Sequence, residues 1–362
     1  MKTILILANS SGGLYDFRNE LVLELRKRYK VAASLPDSVK TDLLEKEGVE
    51  VIKTPVNRRG VNPFEDLKLL ETYKDLIRRY QPALVLTYTI KPNIYGGMAC
   101  AALGVPYIAT ITGLGSAFEK KGLFLSMIEI MYRRGLRKAD CVFFQNQENL
   151  NLFRQYSLVT GKSRLVSGSG VSLAAHPFME YPEGNDTYFL YVGRMMREKG
   201  IGELLTAARR LSGERVHFGL MGYCDEDWQE KLDEAQQQGF IDQLGFHTEV
   251  NEYYKKASAV VMPTYHEGMS NVLMEASACG RPVIASNISG CREIFEDGVT
   301  GIGFAPKSAD SLTDALKKFL ALDRGQRAAM GQAAHDKMAR EFDRTKVTAA
   351  YMQEIEKAVL TK

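Results

Sequence analysis

AVVMPTYHEGMSNVLMEASACG, residues 259–280, contains in one stretch the unit from which the chain is built. It opens on a near-continuous apolar run, AVVMPT (259–264), of the kind a strand buried on both faces requires. His266-Glu267-Gly268 breaks the pattern as a loop, and Ser270 has the side chain of an N-cap. Asn271 to Cys279 then reads as a helix stopped by Gly280. Two carboxylates flank the start of that helix: Glu267 on the loop and Glu275 inside the helix.

The same alternation runs through the whole sequence. In the first half the expected strands are TILILA (3–8), KVAASL (30–35), VEVIKT (49–54), ALVLTY (83–88), PYIATIT (106–112) and CVFFQN (141–146). Helical patterns such as 17–29 and 64–80 lie between them. In the second half YFLYVG (188–193), VHFGLMG (216–222), FIDQLGF (240–246), AVVMPT and RPVIAS (281–286) repeat the theme. Apolar strands separated by helices imply parallel sheets covered on both faces, hence two doubly wound, Rossmann-like α/β domains. The Pro- and Gly-bearing stretch HPFMEYPEGNDT (176–187) marks the expected break. Domains are therefore expected at 1–175 and 186–345, with a helix at 346–362 free to pack back on the N-terminal domain. Ligands of such sheets sit beyond the carboxyl ends of the strands, and two facing domains make the cleft between them the expected site.

Composition narrows the function. At 362 residues the chain suits two domains, and a net charge of +3 argues against nucleic acid as a partner. The five cysteines are scattered with no C-x-x-C pair, which fits neither a disulfide framework nor a zinc site. The apolar run near the N-terminus is too short for a signal peptide, and no run reaches the length of a membrane span. A cytoplasmic protein is expected.

Three places carry chemistry. Gly12 and Gly13 precede a helix pattern, where a turn lets backbone N–H groups approach an anion or simply connects two elements. There is no G-x-G-x-x-G and no GK[ST], so neither a dinucleotide fingerprint nor a P-loop is present. In YVGRMMREKG (191–200), Arg194 and Lys199 flank a helix start. They read either as a diphosphate clamp or as a solvated basic turn. Glu267 and Glu275 read either as hydroxyl-gripping carboxylates around a helix N-terminus or as a loop and a helical glutamate without further role. Asp225 and Asp227 form a D-x-D better explained as acids at a helix start than as a metal site.

Taken together, GR-x4-KG (193–200), the E-x7-E of Glu267 and Glu275, SGG (11–13) and GRPVIASNISGCREIFEDGVTG (280–301) resemble the retaining family 4 glycosyltransferases, over nearly the whole chain. The resemblance implies the GT-B arrangement of two Rossmann-like domains facing across a cleft, and no metal or other cofactor. It implies that Arg194 and Lys199 bind a donor diphosphate beside Gly12 and Gly13, and that Glu275 grips the ribose. Glu267, Gly268, Met269, Ser270 and Asn271 would contact the donor sugar, with Glu267, Arg194 and Lys199 acting in catalysis. The family usually has a histidine after the strand that here reads IATIT; this chain has Thr112, which donates a hydrogen bond but shares no mobile proton near neutral pH.

NSSGGLYDFR (9–18), KPNIYGG (91–97) and TGLGSAF (112–118) are similar to enzymes that extend glycans on undecaprenyl diphosphate, for capsule, O-antigen or protein glycan assembly. That implies a UDP-hexose or UDP-N-acetylhexosamine donor and a lipid-linked glycan acceptor, with Tyr15, Arg18, Lys91 and Thr112 on the acceptor side. The stretch 119–140 mixes apolar residues with Lys120, Lys121, Arg133, Arg134, Arg137 and Lys138. It reads equally as a core-packed helix with a basic end or as a helix on the inner face of the plasma membrane. A UDP-sugar 2-epimerase of the same fold and a catalytically silent nucleotide-sugar-binding module are the alternatives.

Overall fold

The computed structural model describes residues 1–57, 62–113, 123–213, 215–224 and 228–360. It divides into two compact units, Met1–Ser169 with Arg344–Lys362, and Gly170–Asp343.

Among the described residues the first unit holds a seven-stranded parallel sheet in the order β3-β2-β1-β4-β5-β6-β7. Its strands are β1 (Thr3–Leu7), β2 (Lys30–Leu35), β3 (Glu50–Lys53), β4 (Leu84–Tyr88), β5 (Tyr107–Ile111), β6 (Cys141–Phe144) and β7 (Ser163–Leu165). Successive side chains of a strand point to opposite faces. Ile4 and Ile6 accordingly join one core with Val22 and Leu25, while Leu5 and Leu7 join the other with Tyr73 and Ile77. A strand covered twice must be apolar at every position, which is why TILIL runs unbroken.

The helix Arg344–Leu360 closes the first of these cores through Val347, Tyr351 and Ile355. Tyr351 stacks on Phe143 with centroids 4.1 Å apart and shares a 2.8 Å hydrogen bond with the Thr110 hydroxyl. At its start Arg344 donates to Glu20 at 2.9 Å and to the Asp16 carbonyl at 2.9 Å.

The second unit has a six-stranded parallel sheet among its described residues, ordered β10-β9-β8-β11-β12-β13. Its strands are β8 (Thr187–Val192), β9 (Val216–Met221), β10 (Asp242–Gly245), β11 (Ala259–Met262), β12 (Val283–Ser286) and β13 (Gly301–Phe304). In each sheet the strand order reverses beside the first strand, between β1 and β4 and between β8 and β11. A crevice opens at such switch points, at the carboxyl ends of the strands.

Two edge strands escape the sequence reading. β7 is only three residues long, and β13 (GIGF) carries two glycines, so neither shows a strand's composition. The chain passes between units at 169/170 and 343/344 rather than at 176–187. That Pro- and Gly-bearing stretch is held to the second unit instead. The fully buried Arg281 donates to the carbonyls of Met179 at 2.8 Å and Glu180 at 2.6 Å, and Arg324 donates to those of Tyr181 and Pro182. The D-x-D at 225–227 and residues 114–122 lie outside the described residues. Among the described residues no helix is long and apolar enough to cross a membrane.

Ile355 lies wholly inside the core that the terminal helix completes. Ile355→Ala should lower stability by about 2–5 kcal/mol, read as an earlier urea midpoint. An unchanged midpoint would show that the helix adds nothing to that core.

Candidate active site

The exits of β8 and β11 are adjacent because their strands pair, and the two motifs of the second unit lie on those exits. After β8 the chain runs through Gly193 and Arg194 into a single 3₁₀ turn, Arg197–Lys199, and then Gly200 opens the helix Ile201–Leu211. Gly200 has φ +71°, and a Cβ there would lie 2.0 Å from the Pro263 carbonyl oxygen just past β11. Only glycine satisfies both demands. The contact is fastened on either side: Tyr265 N donates to the Glu198 carbonyl at 2.8 Å and the Tyr265 hydroxyl to Glu203 at 2.7 Å.

This lacing sets Lys199 Nζ 2.5 Å from Glu267 Oε1, with both side chains mostly covered. Arg194, on the same exit as Lys199, is exposed, and its carbonyl accepts from the buried Tyr191 hydroxyl at 2.7 Å. Ser270 caps the helix Asn271–Ala278 by accepting from Leu273 N, while its own N–H donates to the Gly290 carbonyl at 2.9 Å. Met269 and Ser270 are buried; Gly268 and Asn271 are half-buried.

Glu275 is half-buried, and its Oε2 accepts from the Tyr254 hydroxyl at 3.1 Å. Tyr254 is fully buried on the helix Asn251–Lys256. Burial, and then the neighbouring Glu275 carboxylate, push that hydroxyl well above the ordinary tyrosine range. It therefore stays a proton donor and fixes one oxygen of Glu275. Tyr254 has no motif around it, so nothing in the sequence marks it.

In the first unit, Gly12 and Gly13 lie in the first turn of the helix Ser11–Arg26. Asp37 accepts from both the backbone N–H (3.0 Å) and the hydroxyl of Ser11, and Ser10 Oγ accepts from Gly13 N at 3.2 Å. Much of the anion-binding capacity of this helix start is thus met by an internal carboxylate. A Cβ at Gly12 would meet nothing closer than 3.8 Å, so packing alone does not demand glycine there.

The acceptor-side candidates lie apart in their roles. Tyr15 is half-buried with Lys40 Nζ over its ring at 5.5 Å. Lys91 is paired with the buried Asp66 at 2.6 Å. Arg18 is buried, its guanidinium over Tyr88 and Tyr351 at 5.4 and 5.7 Å. With its amide oriented to satisfy both neighbours, Gln145 accepts from Arg18 at 2.8 Å and donates to the Thr112 carbonyl at 3.1 Å. Arg18 and Thr112 thereby share one hydrogen-bond chain at the exits of β5 and β6. Beside them Thr89, the first residue after β4, has φ +73° and a buried hydroxyl with no partner among the described residues. A β-branched residue in that conformation is strained, and strain of this kind collects at functional sites.

Two family models match the chain, "Glycosyl transferases group 1" over residues 177–337 and "Glycosyl transferase 4-like" over residues 3–146. The chain is an enzyme of this glycosyltransferase family, with the GT-B fold. It is 23% identical to an N,N'-diacetylbacillosaminyl-diphospho-undecaprenol α-1,3-N-acetylgalactosaminyltransferase of Campylobacter jejuni, over 96% of each chain. A glycogen synthase of Mycobacterium tuberculosis is 31% identical over 52% of this chain and 47% of its own. Among solved structures, sucrose-phosphate synthase from Thermosynechococcus elongatus superimposes with a TM-score of 0.83 at 21% identity, covering 100% of both chains. Anabaena HepE, solved with UDP and glucose, superimposes with a TM-score of 0.80 at 19% identity, covering 99% of this chain and 100% of its own.

The Lys199–Glu267 pair gives an anion at this crevice a competitor for Lys199. Glu267→Gln should tighten binding of inorganic pyrophosphate by about 1.4- to fivefold, the worth of a partly exposed ion pair of roughly 0.2–1 kcal/mol. Lys199→Ala should weaken it; calorimetric titration reads both, and equal affinities in all three proteins would show that Lys199 holds no anion.

Proposed function

We propose that the chain moves a sugar from a nucleotide diphosphate donor, a UDP-hexose or UDP-N-acetylhexosamine, to a lipid-diphosphate-linked glycan, with retention at the anomeric carbon. The observation that carries this reading is the pairing of Lys199 with Glu267 at one strand switch point, with Arg194 on the same exit as Lys199, beside the Ser270-capped helix that bears Glu275. Cations and helix N–H groups suit the diphosphate, and carboxylates suit the hydroxyls of ribose and sugar. As the glycosidic bond breaks, the leaving diphosphate gains charge. Arg194 and Lys199 then stabilise it more than they stabilise the intact donor, which lowers the barrier without a metal ion. The donor class draws support from HepE, whose structure of the same fold holds UDP, and the acceptor class from the full-length Campylobacter relative.

On this reading the first unit receives the acceptor. A Cβ at Gly12 would meet nothing closer than 3.8 Å, Arg18 and Thr112 share the Gln145 amide, and Lys91 is held by Asp66. Contact with a membrane draws support from the helix Leu123–Leu136. Ile128, Tyr132 and Leu136 face the core, while Met127 and Ile130 are exposed. Arg133, Arg134, Arg137 and Lys138 are also exposed and continue the outward stripe at helical spacing. The enzyme would then work as a peripheral protein on the inner face of the plasma membrane, in the assembly of a surface polysaccharide or related glycan.

Radiolabelled UDP-sugars with lipid-diphosphate-linked acceptors test the reaction. Transfer should yield an α-linked product from an α-configured donor, persist in EDTA and be lost in Arg194→Ala. An inverted product, or activity abolished by chelation and restored by manganese, would overturn the reading. Vesicle co-sedimentation tests the surface contact: binding to anionic vesicles should fall about tenfold or more in the double variant Arg134→Glu/Arg137→Glu, at roughly 1 kcal/mol per basic residue. Equal sedimentation of variant and wild type would remove the helix from membrane binding.

A further inference from the structure

The stretch GRPVIASNISGCREIFEDGVTG (280–301) contains a carboxylate, Glu293, that has no part in the donor contacts described so far. It lies past β12, whose exit is next to that of β11 because the two strands pair. Ser289 Oγ donates to Glu293 Oε1 at 3.0 Å, and Gly290 N donates to Glu293 Oε2 at 2.7 Å. Each carboxylate oxygen thus holds one residue of the turn that precedes it, a task for a group that accepts at two oxygens at once. The turn is tied at its other end, where Asn287 N donates to the Phe304 carbonyl of β13 at 2.8 Å.

Gly290 carries that restraint to Glu267. It has φ +86°, and a Cβ there would lie 2.6 Å from the Glu267 carbonyl oxygen and 2.9 Å from the Glu267 Cβ. The backbone of Gly290 is therefore the surface on which Glu267 rests. Its carbonyl accepts from Ser270 N at 2.9 Å, which ties the same glycine to the N-cap of the helix that bears Glu275. The next residue, Cys291, is wholly buried, and burial and then the Glu267 carboxylate push its thiol well above the ordinary range. Glu267 is thus bounded twice: Lys199 holds an oxygen of its side chain, and the Gly290 turn backs its main chain and Cβ. A partly exposed ion pair holds weakly, whereas hydrogen bonds to an ionised group hold more firmly. When a diphosphate draws Lys199 away, the turn is what still aims Glu267.

We propose that Glu293 is a positioning residue for sugar transfer, a proposal that rests on the nucleotide-sugar reading above, in which Glu267 contacts the donor sugar. By bracing the Gly290 turn, Glu293 sets the place of Glu267 and touches no substrate itself. Binding of the nucleotide does not need this brace; the chemical step at the sugar does.

A double-mutant cycle on the full chain tests this, with kcat read at saturating donor and UDP affinity read by calorimetric titration. Glu293→Ala should lower kcat by about 10- to 100-fold, the cost of misplacing a group at the reacting centre by about 1 Å. It should bind UDP no more weakly than the wild type. Glu293→Gln, which keeps an acceptor for Gly290 N and can donate to Ser289, should recover most of the loss. Ser289→Ala, which removes only one of the two bonds, should show a smaller fall of the same kind. Glu267→Gln should itself lower kcat, and adding Glu293→Ala to it should cost no more than about twofold further, since the brace then has nothing to aim. Glu293→Ala with wild-type kcat would overturn the brace alone. Losses that multiply in the double variant, or a parallel loss of UDP affinity, would also overturn it, by showing that Glu293 merely stabilises the unit. A Glu267→Gln enzyme as fast as the wild type would overturn the role of Glu267 at the sugar and the positioning role with it.

Discussion

The approach of Gly200 to the carbonyl oxygen of Pro263 is the constraint on which the second unit's chemistry depends. With 2.0 Å between that oxygen and the place of a Cβ, no other residue lets the helix Ile201–Leu211 begin where it does. The approach draws two loops, far apart in sequence, to the same strand switch point. The hydrogen bonds from Tyr265 to Glu198 and Glu203 then hold them there. Lys199 and Glu267 meet as a consequence of backbone packing, and their ion pair follows from that geometry.

The two units treat their charges differently. In the second, Lys199 and Glu267 keep 22% and 16% of their side chains exposed, so water can take over from either partner when the pair opens. In the first, Lys91 and Asp66 keep 14% and 8%, and Asp66 is buried as a residue. Breaking such a pair strands a charge away from solvent, which is far costlier than breaking an exposed one. Arg18 is buried with the amide of Gln145 and two aromatic faces as its neighbours. One set of charges is therefore exchangeable and the other part of the scaffold, although both stand at strand exits.

Much of the fold was legible because a parallel sheet covered on both faces writes itself into the sequence. TILIL, LVLTY and AVVM have no alternation to confuse with a surface strand, and the helices between them carry their own caps, such as Ser270 and Asn146. β7 and β13 were not legible, since an edge strand of three or four residues needs little apolar surface. The break at 176–187 misled for a related reason. Proline and glycine mark irregular backbone, but whether that backbone is a linker depends on what binds it, and here Arg281 and Arg324 do.

Periodicity and caps are local properties, so two doubly wound domains, the strand exits that carry Arg194, Lys199 and Glu267, the helix that carries Glu275 and the order of those motifs are all readable along the chain. Long-range packing sets the pairing of Lys199 with Glu267 and the hold of the buried Tyr254 on Glu275. Packing likewise binds Arg18 and Lys91, expected on the acceptor side, internally. Those facts depend on which strands are neighbours and how closely their exits pack. Such long-range distances are set by the sheet order and by the glycines that let backbones touch, and no local pattern records them.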